Sequence, residues 1–196
     1  YKEYKQQNIT YSSNEDFIQG ETEGRNVVLG GSWCPRYYFS QDSSQPITQE
    51  PEISLKGFQY AHEVLKFEEF RLGAYWDECQ LQYEGEIMIP ADLNLLIKYS
   101  IKSNLKVTLN LGPIKTFRYP EVYIPEFVLQ KAGEIPVGYV VNKDSFLGQS
   151  ALKYLNQLVK KLIQDYGQDE LENTIKAFQL DNEPKNPFGP TQMTMG

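Results

Sequence analysis

The chain has 196 residues, enough for one domain with a sizeable core. With 40% hydrophobic and 23% charged residues it reads as a globular protein, and no apolar run reaches the ~18 residues that a membrane helix needs. A net charge of −7, from 26 acidic against 19 basic residues, argues against nucleic acid or an anionic membrane surface as the main partner. The 14 Tyr, 10 Phe and 2 Trp can fill a core, but so many tyrosines also suit a recognition surface.

Residues 1–25 are polar and lack periodicity, so they are expected to form an N-terminal arm ahead of a domain over 26–196. The chain begins at Tyr1 rather than Met, which is read as processing, trimming or a fragment. Asn26 to Trp33 is a short β-branched run closed by Gly30 and Gly31, a buried strand entering a loop. That loop, through Arg36, Tyr37, Tyr38 and Phe39, is polar and aromatic. Leu55, Phe58, Ala61, Val64 and Leu65 recur at helical spacing and predict a helix over Glu52 to Lys66. Glu69 to Trp76 reads as a second strand.

Asp92 is placed to cap a helix running to Ser103, with Leu93, Leu96, Ile97 and Ile101 on one face and Asn104 as its stop. Lys106 to Leu111 predicts a third strand ended by Gly112-Pro113, and a long connection broken by Pro120, Pro125 and Pro136 then runs from Ile114 to Gly148. Gln149 to Tyr166 carries Leu152, Leu155, Leu158, Val159 and Leu162, a helix stopped at Gly167. Ala177 to Leu180 is a last apolar strand, running into Asp181-Asn182-Glu183-Pro184.

The order β-α-β-α-β-α-β implies an α/β fold with a parallel sheet covered by helices. A dinucleotide-binding sheet is disfavoured, because Gly30-Gly31-Ser32 is no G-x-G-x-x-G turn and opens a long loop rather than a helix. A barrel expects polar groups at successive strand ends. The chain has Trp33 with Arg36, Arg71 with Trp76 and Asp77, Asn110, and Asn182 with Glu183. Four βα units make the N-terminal half of a (β/α)8 TIM barrel, strands 1–4 with their crossover helices. Such a half is expected to expose its two edge strands and an apolar inner face.

Phe70-Arg71-Leu72-Gly73-Ala74-Tyr75-Trp76-Asp77, Leu109-Asn110-Leu111-Gly112-Pro113, Arg118-Tyr119-Pro120-Glu121 and Gln179-Leu180-Asp181-Asn182-Glu183-Pro184 follow one another in order. In these stretches the chain resembles the retaining (β/α)8 glycoside hydrolases, the clan of cellulase-like and β-galactosidase-like families. The resemblance covers roughly residues 26–189 and implies hydrolysis of an O-glycosidic bond in a carbohydrate substrate, with no metal or organic cofactor. It implies Glu183 as general acid/base, Asn182 as partner of the hydroxyl next to the anomeric carbon, and Arg71 as the arginine that keeps the nucleophile ionised. Asn110 and Trp76 complete the expected substrate-binding set, Trp76 by stacking on a sugar face.

A retaining mechanism needs two carboxylates about 5–5.5 Å apart, one protonated and one ionised. The clan takes its nucleophile from the seventh strand, so it is expected beyond Gly196, in a C-terminal half or a complementary chain, and the isolated chain is expected to be inactive. Asp77, Glu78, Glu121 and Glu126 are carboxylates of the predicted rim, but none stands at the family position. The alternative is a non-catalytic, barrel-derived carbohydrate-binding or assembly protein. His62 stands without a second His or a nearby Cys and is no metal ligand. Cys34 and Cys79 read as free thiols near strand ends, with a bridge between neighbouring loops as the alternative. Polysaccharide substrates point towards an extracellular or cell-surface location.

Overall fold

The computed structural model describes residues 28–34, 51–115, 122–133, 140–182 and 194–195. Four strands form one parallel sheet: β1 (Gly30–Ser32), β2 (Glu69–Gly73), β3 (Lys106–Asn110) and β5 (Ile175–Gln179), in the order β1-β2-β3-β5. Between them lie α1 (Pro51–Glu63), the single turn α2 (Trp76–Cys79), α3 (Ala91–Lys102), α4 (Glu126–Ala132), α5 (Phe146–Tyr166) and α6 (Gln168–Thr174). The two-residue strands β4 (Val140–Val141) and β6 (Thr194–Met195) pair in parallel apart from this sheet. The chain is therefore an α/β protein with a four-stranded parallel sheet. Among the described residues no helix is long and apolar enough to cross a membrane.

Strand periodicity sets the core. Phe70 and Leu72 of β2 and Val107 and Leu109 of β3 point to the helices and are buried. Phe58 of α1 covers them, its ring 4.2 Å from that of Phe70. Leu93, Leu96 and Ile97 of α3 continue the layer, and Leu158 and Leu162 of α5 close it. Trp33, just after β1, meets Phe58 edge-on and donates its indole N–H to Ser54 Oγ at 3.1 Å.

The opposite face differs from the apolar one expected of a half barrel. Glu69, Arg71, Lys106, Thr108 and Gln179 lie on it, partly or largely exposed. Lys176 reaches across β3 to Glu69 at 2.7 Å. Exposed apolar side chains gather instead at the sheet's two outer strands, at Val28 and Leu29 before β1 and at Phe178 and Leu180 of β5 and its exit. The register slips once, between Val107↔Ile175 and Thr108↔Ala177, so Lys176 is an extra residue in β5.

Several boundaries move. β2 ends at Gly73, three residues before the expected end, and Trp76 opens α2. Asp92 is not the cap of α3: Pro90 holds that place, and Asp92 Oδ1 accepts from Leu93 N one residue on. Asn104 does adopt the left-handed conformation of a helix stop, as does Gly167 after α5. α5 begins at Phe146, where Ser145 Oγ accepts from Gly148 N at 3.1 Å. The connection from Ile114 to Gly148 contains α4 and β4, and α6 fills the space between α5 and β5. The expected arm over residues 1–25 lies outside the described residues.

Gly148 is buried in the first turn of α5, and a Cβ there would overlap the Asn142 carbonyl oxygen and crowd Lys143 Cα. Gly148→Ala should therefore cost about 1–3 kcal/mol despite the better helix propensity of Ala, because rigid backbone must move. Urea unfolding measures this, and an unchanged or higher midpoint would refute the overlap.

Candidate functional site

Parallel strands send all their C-terminal ends to one side of the sheet, and two of the polar groups named from the sequence, Arg71 and Asn182, meet there. Arg71 lies on the open face of β2, level with Thr108 and two strands from Ala177. Its Nη1 donates to Asn182 Oδ1 at 3.2 Å and to Gln179 Oε1 at 3.4 Å. The other end of the Gln179 amide donates through Nε2 to the Asp181 carbonyl at 2.9 Å. Gln179 thus joins the Arg71 guanidinium to the turn that carries Asn182.

The turn is fixed from below by β3 and its exit. Leu111 N donates to the Gln179 carbonyl at 2.9 Å. Ile114 N and Lys115 N donate to Asp181 Oδ1 at 3.1 and 2.8 Å. Asp181 is 6% exposed, takes the left-handed conformation at φ 58°, and its Oδ2 is buried without a hydrogen-bond partner among the described residues. Burial pushes its carboxyl above the ordinary aspartate range, against the two backbone amides and the Lys115 charge, which pull it down.

The sequence-predicted residues separate into three groups. Arg71 and Asn182 come together. Asn110 is close in the chain fold but fully buried, with its Oδ1 accepting from Gly112 N at 2.8 Å, so at least this oxygen shapes the turn after β3. Glu183 lies outside the described residues, as do Arg36, Tyr37, Phe117, Tyr119 and Glu121.

Trp76 corrects the expectation of a sugar platform. It is 1% exposed, stacks on Tyr154 at 5.0 Å and 17°, and donates its indole N–H to Gln80 Oε1 at 2.8 Å. The chain leaves strand geometry at Ala74, so Trp76 turns into the core on α2 rather than out of the sheet end. Tyr75, by contrast, packs edge-on against Tyr123 at 4.7 Å, with its hydroxyl 2.6 Å from Cys34 Sγ. These three residues form a small buried cluster of their own.

Sequence reasoning missed Gln179 and Asp181. The signal was present in the alternation of Gln179, Asp181 and Glu183 with Phe178 and Leu180, which puts three polar groups on one side of a strand and its exit. Comparison with protein-family models gives no match for the chain, and a search of curated proteins gives none either. Among the described residues no group of three or more His, Cys, Asp or Glu is placed to hold a metal ion.

Cys34 and Cys79 are free thiols, both buried. Burial is the main reason the Cys79 thiol is pushed up to about 12, with its hydrogen bond to Tyr154 opposing. Iodoacetamide at pH about 8 should therefore leave Cys79 unmodified in the native chain and label it rapidly in urea. Rapid native labelling would contradict the burial.

Asp181 gives a signed pH dependence. A carboxyl raised by folding contributes fully while it is protonated in both states, and that contribution is lost as pH rises through its folded value. Asp181→Asn cannot ionise, so its melting temperature relative to the parent chain should increase from about pH 3 to pH 7. Thermal unfolding across that range checks the slope, and a decrease would show the carboxylate form to be favoured.

Proposed function

We propose that this chain carries the acid/base side of a retaining glycoside hydrolase site, built on the first four strands of a (β/α)8 barrel. The observation that supports it is the Arg71–Asn182 contact at 3.2 Å, made at the C-terminal ends of parallel strands β2 and β5. Two residues 111 positions apart in sequence, each singled out for the same chemistry, share a hydrogen bond.

In this reading Glu183, the next residue, protonates the glycosidic oxygen and later takes a proton from water. Asn182 holds the hydroxyl beside the anomeric carbon. Its Oδ1 is engaged by Arg71, which orients the side-chain amide so that its N–H groups are directed away from the guanidinium. The Arg71 guanidinium stabilises a neighbouring nucleophile as the ionised form. Trp76 has no place in the reading, since its ring is consumed by the core. The substrate is a carbohydrate, no metal or organic cofactor takes part, and the nucleophile comes from another part of the barrel.

The test is hydrolysis of a panel of aryl glycosides by the polypeptide that contains this chain. Glu183→Gln should lower kcat about 10²–10⁴-fold on glycosides with poor leaving groups and much less on activated ones, which need little protonation. Equal loss on both classes would remove Glu183 from the acid/base role. A parent polypeptide inactive on the whole panel would leave the non-catalytic carbohydrate-binding reading in its place.

A further inference from the structure

We propose that Asp181 is the positioning residue of the Arg71–Asn182 pair, acting through its carboxylate grip on the turn that follows β3. What the pair does catalytically rests on the glycosidase reading; the positioning itself rests on geometry alone.

Three separate bonds converge on residue 181. Its Oδ1 accepts two backbone N–H groups, from Ile114 and Lys115. Its carbonyl accepts the Gln179 amide, whose other end accepts from Arg71. Its backbone sits at φ 58°, a conformation that Asp adopts more readily than most residues and that sends the chain sharply out of the strand. Asn182 follows directly, so the direction in which its side chain leaves is set by these bonds. Without the carboxylate, the Ile114 and Lys115 amides lose the acceptor that ties the β3 exit to the β5 exit. Asn182 then loses its fixed distance from Arg71.

The other oxygen makes this more than a generic turn. Oδ2 is buried without a hydrogen-bond partner among the described residues, so the grip depends on Oδ1 alone and weakens when the carboxyl is protonated. Among the described residues, the charged groups that face Asp181 are Lys115 from the β3 exit and, through Gln179, Arg71 from β2. Glu183, the next residue but one, is removed as a source of titration by working in a Glu183→Gln background.

The test is solution NMR of the whole chain in that background. The Ile114 and Lys115 amide signals and the Asn182 side-chain amide signals should titrate together, with one shared midpoint above the ordinary carboxylate range. In Asp181→Asn this shared titration should vanish while all four signals stay near their folded positions, because the Asn oxygen keeps both backbone partners. Asp181→Ala should cut amide-exchange protection at Ile114 and Lys115 by at least about tenfold and leave Leu72 and Leu109 protected. Asn182 signals that ignore the Ile114 and Lys115 titration would overturn the proposal, and so would an Asp181→Ala chain with unchanged protection. If Asp181→Ala does not fold, the titration and the Asn variant decide alone.

A kinetic arm separates the two readings. Where the parent polypeptide hydrolyses an aryl glycoside, Asp181→Ala should lower kcat up to about 100-fold with a much smaller change in KM, and Asp181→Asn should recover most of it. A parent without activity defeats the glycosidase reading and leaves the NMR result standing.

Discussion

The parallel register of β2, β3 and β5 is the constraint on which the site depends. It brings three strand ends to one side and holds β2 and β5 two strand spacings apart, roughly 10 Å. Only a long side chain crosses that span, and Arg71 does so diagonally, from the level of Ala177 to Gln179 and Asn182 beyond it. A shorter cation in its place would lose both of these contacts.

The bulge at Lys176 decides which side chains face Arg71. Ile175 stands opposite Val107 and packs on the core. In an unbroken register Phe178 would come next to Asn110 on the open face, and Gln179 would turn towards the helices. The extra residue reverses this: Phe178 aligns with Leu109 and Gln179 with Asn110. One inserted position thus sets the face of Gln179, and through its amide the backbone of Asp181. Lys176 itself is left on the open face, where it meets Glu69.

How much of this was legible in the sequence depends on the reach of each interaction. Leu72, Val107 and Leu109 announce buried strands because alternation is local, and Leu158 and Leu162 announce α5 because helical spacing is local too. α6 was invisible for the same reason. Its sequence, Gln168 to Thr174, buries only Leu171 and Thr174 and is too short to show a period. Trp76 misled because strand parity was carried past Gly73, where the strand stops and α2 begins. Arg71 and Asn182 were legible as residue types at strand ends. Their bond was not, since the bulge that permits it leaves no mark in composition or spacing. The polar open face was legible by the same rule, since Glu69-Phe70-Arg71-Leu72 and Lys106-Val107-Thr108-Leu109 alternate polar and apolar residues, the mark of a strand buried on one face.

The polar open face bears on the chemistry as well as on the fold. In the proposed reading a retaining site needs one carboxyl favoured in its neutral form and another held ionised. Both kinds of environment occur at this end of the sheet, one at Asp181 and one at Arg71. Desolvation at Asp181 outweighs two amide donors and a lysine, so negative charge is disfavoured on that carboxyl. Arg71, on the far side of Asn182, favours it. The two influences are kept apart by neutral amides, those of Gln179 and Asn182, which transmit position without cancelling either charge effect. An arginine bonded directly to Asp181 would ionise that carboxyl and abolish the contrast. Routing the contact through two amides preserves it.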